Sequence, residues 1–368
     1  MTRTIYLIGA GAISRQHANA LSHLPDRDEI ELSVADPSPD ARDGFAEEYP
    51  DAELYETAEE MLDEPAHDRD IVVVAAPPFT HRDETVPALV TGRHVLCEKP
   101  LALSRAEAEE MFTTAQEHDR LLGACTCRHS LTSGGQRVRE LVAAGEIGEV
   151  YHVSWIHRSQ RSRPGIEYQP ASKWFLDRSL AGGGILADWG PYDFAALYDL
   201  LGPNEVDVRT AWTARPETDA DPEDLTFDVE THASATLAYR SDDDYPSVGA
   251  VPVTYERASG THGSARSVAE IEGTEGAIRW KWTDVGDTTV TLVRDDDGEG
   301  IEEAIEVEGR DDVDAHQRPL TYFDRRVRGE DAPILAGAEA VFTFSTIRAI
   351  YDCAASGQSQ RVRRADFE

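Results

Sequence analysis

Thr4-Ile-Tyr-Leu-Ile-Gly-Ala-Gly-Ala-Ile-Ser14 decides the fold. An apolar run of strand length ends on Gly9, and residues 12–23 then take up helical spacing. Two glycines at that junction let the chain turn tightly and bring its backbone close to a bound group. The helix start offers free N–H groups and the positive end of its dipole, which suits a pyrophosphate. Gly9, Gly11, Ala12 and Ile13 are therefore candidate cofactor contacts. Ser14 holds the third position of the pattern and is small enough for close helix–strand packing.

Working outward, the first 120 residues alternate strand and helix signals, as a parallel α/β sheet requires. Strands are expected at Ile30–Ala35, Asp70–Ala76, His94–Cys97 and Leu121–Cys125, the last as the sixth of a dinucleotide-binding set. Thr57-Ala-Glu-Glu60 and Ser104-Arg-Ala-Glu107 have capping-box spacing and should open helices, and Thr80 should cap a third. Asp36 closes the second strand, where a carboxylate accepts from the ribose hydroxyls of NAD and repels a 2′-phosphate. Arg42 nearby leaves NADP open. The ends of the next strands add Ala76, Pro77 and His81, and then Glu98 and Lys99, since ligands bind at the carboxyl ends of parallel strands. For His81 and His17, packing or helix capping stands beside cofactor contact.

Beyond residue 123 the texture changes. A helix is expected over 133–144, and alternating runs follow at Val150–Ile156, Val229–Tyr239, Ser267–Ile271, Ala277–Trp282 and Thr288–Val293. They predict a large, mostly antiparallel open sheet in an α+β domain, with a closing helix over Ala336–Ala355. The domain division expected is 1–123 and 124–368. Arg158–Lys173 lacks periodicity and reads as a functional loop, either a positive lid or a salt-bridged segment. Of two histidines on the strand before it, His152 and His157, at most one can face a site. Ala181-Gly-Gly-Gly-Ile-Leu-Ala-Asp-Trp-Gly-Pro-Tyr192 holds three successive glycines, the mark of a backbone approaching something closely. Asp188 and Tyr192 stand four apart and share a helical face. Trp174 could stack on a sugar ring.

Composition limits the partners. There are 70 acidic residues against 35 basic ones, a formal charge of −35, which repels nucleic acid and anionic membranes. Lysine occurs only at 99, 173 and 281, and the other basic residues are arginine. Such a surface resembles that of proteins working in molar salt, where the Debye length is about 3 Å. The acid runs Glu217–Asp224, Asp242–Asp244 and Asp295–Glu303 lack calcium-loop spacing and read as solvated loops. No metal is expected. Cys97, Cys125, Cys127 and Cys353 fit no zinc pattern and read as reduced, buried thiols. With no signal region at the N-terminus, the expected address is cytoplasmic.

The motifs Gly9–Ser14, Asp36, Ala76-Pro-Pro-Phe-Thr-His81, Glu98-Lys-Pro100, Gly182-Gly-Gly-Ile-Leu-Ala-Asp188 and Gly273-Thr-Glu-Gly276 resemble the glucose-fructose oxidoreductase, inositol dehydrogenase and rhizopine-catabolism family of NAD(P)-dependent oxidoreductases. The resemblance covers nearly the whole chain. It implies a Rossmann domain followed by a substrate domain that often mediates oligomerisation, here as a dimer or tetramer. It also implies that Lys99 and Asp188 sit beside the nicotinamide with a sugar-like substrate. Many members carry histidine four residues after that aspartate, whereas this chain has Tyr192, as sugar oxidoreductases and dihydrodiol dehydrogenases of the group do. The aspartate that the histidine subgroup carries three residues further on is Ala195 here, and Asp193 follows the tyrosine directly. A dihydrodiol- or inositol-type dehydrogenase, or a sugar-sensing regulator without turnover, are the competing expectations.

Overall fold

The structure, a computed structural model, describes residues 2–368 apart from 131, 220, 223, 243, 297, 298 and 310–312. The chain divides into two compact units, Met1–Arg128 with Asp312–Val341, and His129–Asp311 with Phe342–Glu368.

The first unit runs β1 (Arg3–Ile8), α1 (Ala12–Ala20), β2 (Ile30–Ala35), α2 (Pro39–Glu48), β3 (Glu53–Tyr55), α3 (Ala58–Met61), β4 (Ile71–Val74), α4 (His81–Val90), β5 (His94–Cys97), α5 (Arg105–Glu117) and β6 (Leu122–Ala124). All six strands pair in parallel, in the order β3-β2-β1-β4-β5-β6. β4 reads Ile-Val-Val-Val and is fully buried, as a central parallel strand must be. Each such side chain contributes about 1.5–3 kcal/mol of burial. The sequence reading leaves β3 unplaced, because three half-exposed residues carry no periodicity.

Thr57 and Ser104 cap α3 and α5 as expected, accepting from the Glu60 and Glu107 backbone N–H at 3.2 Å each. Thr80 does not cap α4. Its hydroxyl donates back to the Pro77 carbonyl at 3.0 Å, within a 3₁₀ turn over Pro78–Thr80.

The second unit contains α6 (Ser133–Ala143), β7 (Val150–Arg158), α7 (Arg178–Ala181), α8 (Ile185–Leu201), β8 (Pro203–Ala214), β9 (His232–Ser241), β10 (Val251–Ala258), β11 (Arg266–Gly273), β12 (Gly276–Trp280), β13 (Thr288–Asp296) and β14 (Glu299–Val307). α9 (Arg318–Val327) belongs to the first unit, and α10 (Ala338–Ser356) leads to β15 (Gln360–Arg363). The sheet order is β14-β13-β12-β11-β7-β10-β9-β8-β15, antiparallel except for the central β7–β10 pair. α8 packs on β9 and β10, and α6 on β12, β13 and β14.

Residues 312–341, placed with the second domain by the sequence reading, thus pack with the first unit. The reason is buried contact: Leu320 and Phe323 of α9 join the core of Ile5, Leu7 and Leu96. Arg3 also pairs with the fully buried Asp324 at 2.6 Å.

The described residues of the acidic run 295–303 lie on β13 and β14 rather than in a loop, while those of 217–224 are irregular as expected. Ala220, Glu223, Asp243, Asp297 and Gly298 of these runs lie outside the described residues. Among the described residues, no helix is long and apolar enough to cross a membrane.

Candidate active site

In the first unit, the strand-to-helix turn has the geometry its glycines imply. Gly9 has φ +104°, and a Cβ there would stand 2.8 Å from the Ala75 carbonyl oxygen. Gly11 is exposed, and a Cβ there would meet nothing within 4 Å. α1 has no side-chain cap and no acidic residue in its first turn, so its positive end stays open beside Ala12 and Ile13. Ser14 is fully buried against the sheet. Asp36 at the end of β2 accepts from the Ala10 and Ser38 backbone N–H, at 2.8 Å each. Arg42 donates to the backbone carbonyl of Asp36.

Ala76 and Pro77 are half-buried after β4. His81 is fully buried, its ring nitrogens facing the Pro100 and Ala76 carbonyl oxygens at 2.8 and 3.0 Å. Burial lowers its pKa despite these partners. The ring ties the Ala76 turn to the turn after β5 and has no surface left for a cofactor, which corrects the contact expected of its side chain.

Glu98 is also interior. Its Oε1 stands 3.1 Å from His17 Nε2, and its Oε2 accepts from the Lys99 backbone N–H at 3.2 Å. Burial alone would raise its pKa, but the His17 hydrogen bond and the charges of Arg128, His17 and Lys99 bring it to about 2. Glu98 therefore holds the loop that carries the half-buried Lys99.

His17, Glu98 and Cys125 have ligating atoms within 4.8 Å of one another, the one such trio among the described residues. The carboxylate is already paired and flanked by cations, and burial pushes the Cys125 thiol well up. That chemistry is a packed hydrogen-bonded pair, His17 with Glu98, rather than a metal cage.

In the second unit, α8 carries Asp188 and Tyr192 on one face, 7% and 3% exposed. Its N-terminus is closed by Glu230, which precedes β9. Glu230 accepts from the Gly184 N–H at 2.9 Å and the Leu186 N–H at 3.1 Å, and its carbonyl accepts from Ile185. Tyr351 OH donates to the same carboxylate at 2.6 Å. A Cβ on Gly183 would overlap Tyr351 OH, and one on Gly184 would overlap the Glu230 carbonyl oxygen. The close approach expected of these glycines is thus made by the protein's own residues. Asp188 lies inside the first turn and is not the cap.

Tyr192 sits in an aromatic cluster that sequence reasoning missed. Trp189 meets it edge-on at 5.6 Å between centroids, and His129 does so at 5.6 Å. His157, not His152, faces this cluster, lying parallel to Trp189 at 6.4 Å. Burial first, and then Arg257, hold its pKa down at about 4. His152 instead pairs with Glu272 and Thr254.

Trp174 lies outside the cluster and stacks on Phe175 at 3.8 Å. The loop before it is salt-bridged rather than a free positive lid. Arg158 pairs with Glu256, Arg163 pairs with Glu167 and Asp221, and Lys173 donates to the Gly165 carbonyl.

The "Oxidoreductase family, NAD-binding Rossmann fold" matches residues 3–125, and the "GFO/IDH/MocA C-terminal domain" matches residues 136–279. The 1,5-anhydro-D-fructose reductase of Ensifer adhaerens is 26% identical over 364 residues, covering 97% of each chain. The D-glucoside 3-dehydrogenase of Escherichia coli is 34% identical over 200 residues, covering 54% of each chain. Among solved structures, levoglucosan dehydrogenase in complex with NADH and L-sorbose superposes with a TM-score of 0.77 at 18% identity, over 99% of this chain and 100% of that one. The glycine turn with its aspartate, the Glu98-Lys99-Pro100 loop and the Asp188–Tyr192 helix thus stand within two matched domains, and the chain belongs to the GFO/IDH/MocA family of NAD-binding oxidoreductases.

Proposed function

We propose that the protein transfers hydride between NAD and a hydroxyl-bearing carbon of a sugar or sugar-like polyol. The observation that carries this reading is the open end of α1 at Gly11, next to an Asp36 carboxylate already fixed by two backbone N–H groups. That arrangement fits a dinucleotide: the helix end takes the pyrophosphate, and Asp36 takes the ribose hydroxyls in preference to a 2′-phosphate. The sugar class is supported by the two relatives, which are named for acting on an anhydrofructose and on glucosides.

Bound nicotinamide supplies the hydride acceptor, and the protein supplies position and proton transfer. Tyr192 takes the hydroxyl proton as general base, with Asp188 on the same helical face orienting it. Lys99 is assigned to the substrate oxygen as a hydrogen-bond donor. Trp174 is assigned to the substrate as a stacking surface. Ala76 and Pro77 are assigned to the cofactor through their backbone, Glu98 through the loop it holds.

We place the protein in a salt-rich cytoplasm as a dimer or tetramer. Its acidic, lysine-poor composition and four buried cysteines support that address.

The test is nicotinamide absorbance in molar potassium chloride, with NAD or NADP and a panel of aldoses, sugar acids, inositols and diols. Turnover with one sugar class and a preference for NAD is expected. NAD binding without turnover on any of them would favour a sensor. Tyr192→Phe and Lys99→Ala should each lower kcat by about 10²–10⁴-fold, and intact turnover in Tyr192→Phe would remove the base assignment.

A further inference from the structure

Directly after Tyr192, Asp193 is 0% exposed and lies against the centre of the second sheet. It accepts from Trp155 Nε1 of β7, Tyr255 OH of β10 and Arg257 Nε of β10, each at 2.9 Å, and again from Arg257 Nη2. Arg257 is 1% exposed and stands opposite His157 in the β7–β10 pairing. Its guanidinium carbon lies 4.9 Å from the Trp189 ring and 5.7 Å from Trp282. His129 completes a ring of contacts. It lies nearly parallel to Trp189 at 5.9 Å and meets Trp282 and Tyr192 edge-on at 5.5 and 5.6 Å.

From this geometry we infer that Arg257, forked onto Asp193, is the positioning residue for Tyr192. The inference rests on the reading of Tyr192 as the base. Stability alone does not account for the pair. Taking two charges out of water costs several kcal/mol per ion, and apolar residues of the same volume commonly hold a core as well. α8 is in any case tied at its start by Glu230.

A guanidinium offers what an apolar group cannot: two fixed bonds to one carboxylate, with a flat face left to hold an indole. Asp193 and Tyr192 are adjacent on one helix, so fixing the carboxylate fixes the turn of α8 that carries the phenol. Trp189, which lies against the Arg257 guanidinium, and His129 each meet the phenol ring edge-on. The other titratable groups around the cage are Asp188 of α8, His157 of β7, Tyr239 of β9, Tyr255 of β10 and His129.

The test places 3-fluorotyrosine at position 192 of the full chain and records its fluorine resonance. Arg257→Met, Arg257→Lys and Asp193→Asn are compared with the native pair, and Arg279→Lys, an exposed ion pair on β12, serves as control. The native chain should give one resonance, unmoved by Arg279→Lys. The Arg257 and Asp193 variants should shift or split it, while NAD affinity by fluorescence titration stays within about twofold. Arg257→Lys keeps the charge and loses the fork, so it carries the test if Arg257→Met does not fold. An unmoved resonance in Arg257→Lys overturns the inference. Intact turnover in Tyr192→Phe would instead remove the base reading and leave the cage standing.

Discussion

Gly9-Ala-Gly11 and Gly182-Gly-Gly184 both stand at the start of a helix, α1 and α8, yet only the first leaves that helix end open. Around Gly11 there is no atom within 4 Å of where a Cβ would stand, and α1 has neither cap nor carboxylate in its first turn. Around Gly184 the same kind of end is filled by Glu230, whose carboxylate and carbonyl take three backbone N–H groups. A helix N-terminus attracts an anion in either case. Where the anion is a ligand the terminus is a binding site, and where it is the protein's own glutamate the terminus is an anchor. The lesson is that glycine spacing announces a close approach without saying by what.

The largest effect that could break this comparison is expected from Gly184→Ala. Its Cβ would overlap backbone, so unfolding in urea should show a loss of about 4 kcal/mol or more, in the range reserved for core overpacking and strain. A loss below about 1 kcal/mol would mean that α8 is not anchored there. Gly11→Val should do the reverse. Stability should fall by only about 1 kcal/mol, the scale of exchanging a good N-cap for a poor one. NAD should bind roughly 10- to 100-fold more weakly, because a side chain now occupies the pyrophosphate's approach. Unchanged affinity by titration calorimetry would close the first terminus too.

The smallest effect separates the two units by pH. His157 in the second unit is held near 4, below the 6.5 of an ordinary histidine. Between those values the unfolded chain takes a proton that the folded chain refuses, so stability falls as pH drops from 6.5 to 4. His157→Gln should flatten that slope. Glu98 in the first unit, held near 2 against an ordinary 4.5, loses its contribution only as pH falls below 4.5 toward 2. Glu98→Gln should remove that acid-range fall, and a limb between pH 4.5 and 2 identical to the native one would mean that its neighbours do not hold Glu98 low.

Much of this molecule was legible because its signals are local. A buried parallel strand such as Ile71–Val74 is apolar throughout, Ser104 and Glu107 cap a helix three residues apart, and Asp188 and Tyr192 share a face because helical geometry leaves no choice. β10 shows where local signals stop. Val251, Val253, Tyr255 and Arg257 alternate inward, but Pro252, Glu256 and the charge on Arg257 hide the strand. Arg257 points inward only because Asp193, 64 residues earlier, is there to meet it. The same distance kept His17 from being read as the partner of Glu98, and α9 from being placed with the first sheet.

By itself, then, the sequence determined the class of the two sheets, the family, the presence of both glycine turns and the three residues assigned to the chemistry, all encoded within a few residues of one another. Only the tertiary structure decided which glycine turn is free, which histidine meets the aromatic cluster and what holds Tyr192. Those outcomes depend on buried charges finding partners far along the chain. The cost of burying a charge alone makes such partners obligatory, and nothing in the local sequence names them.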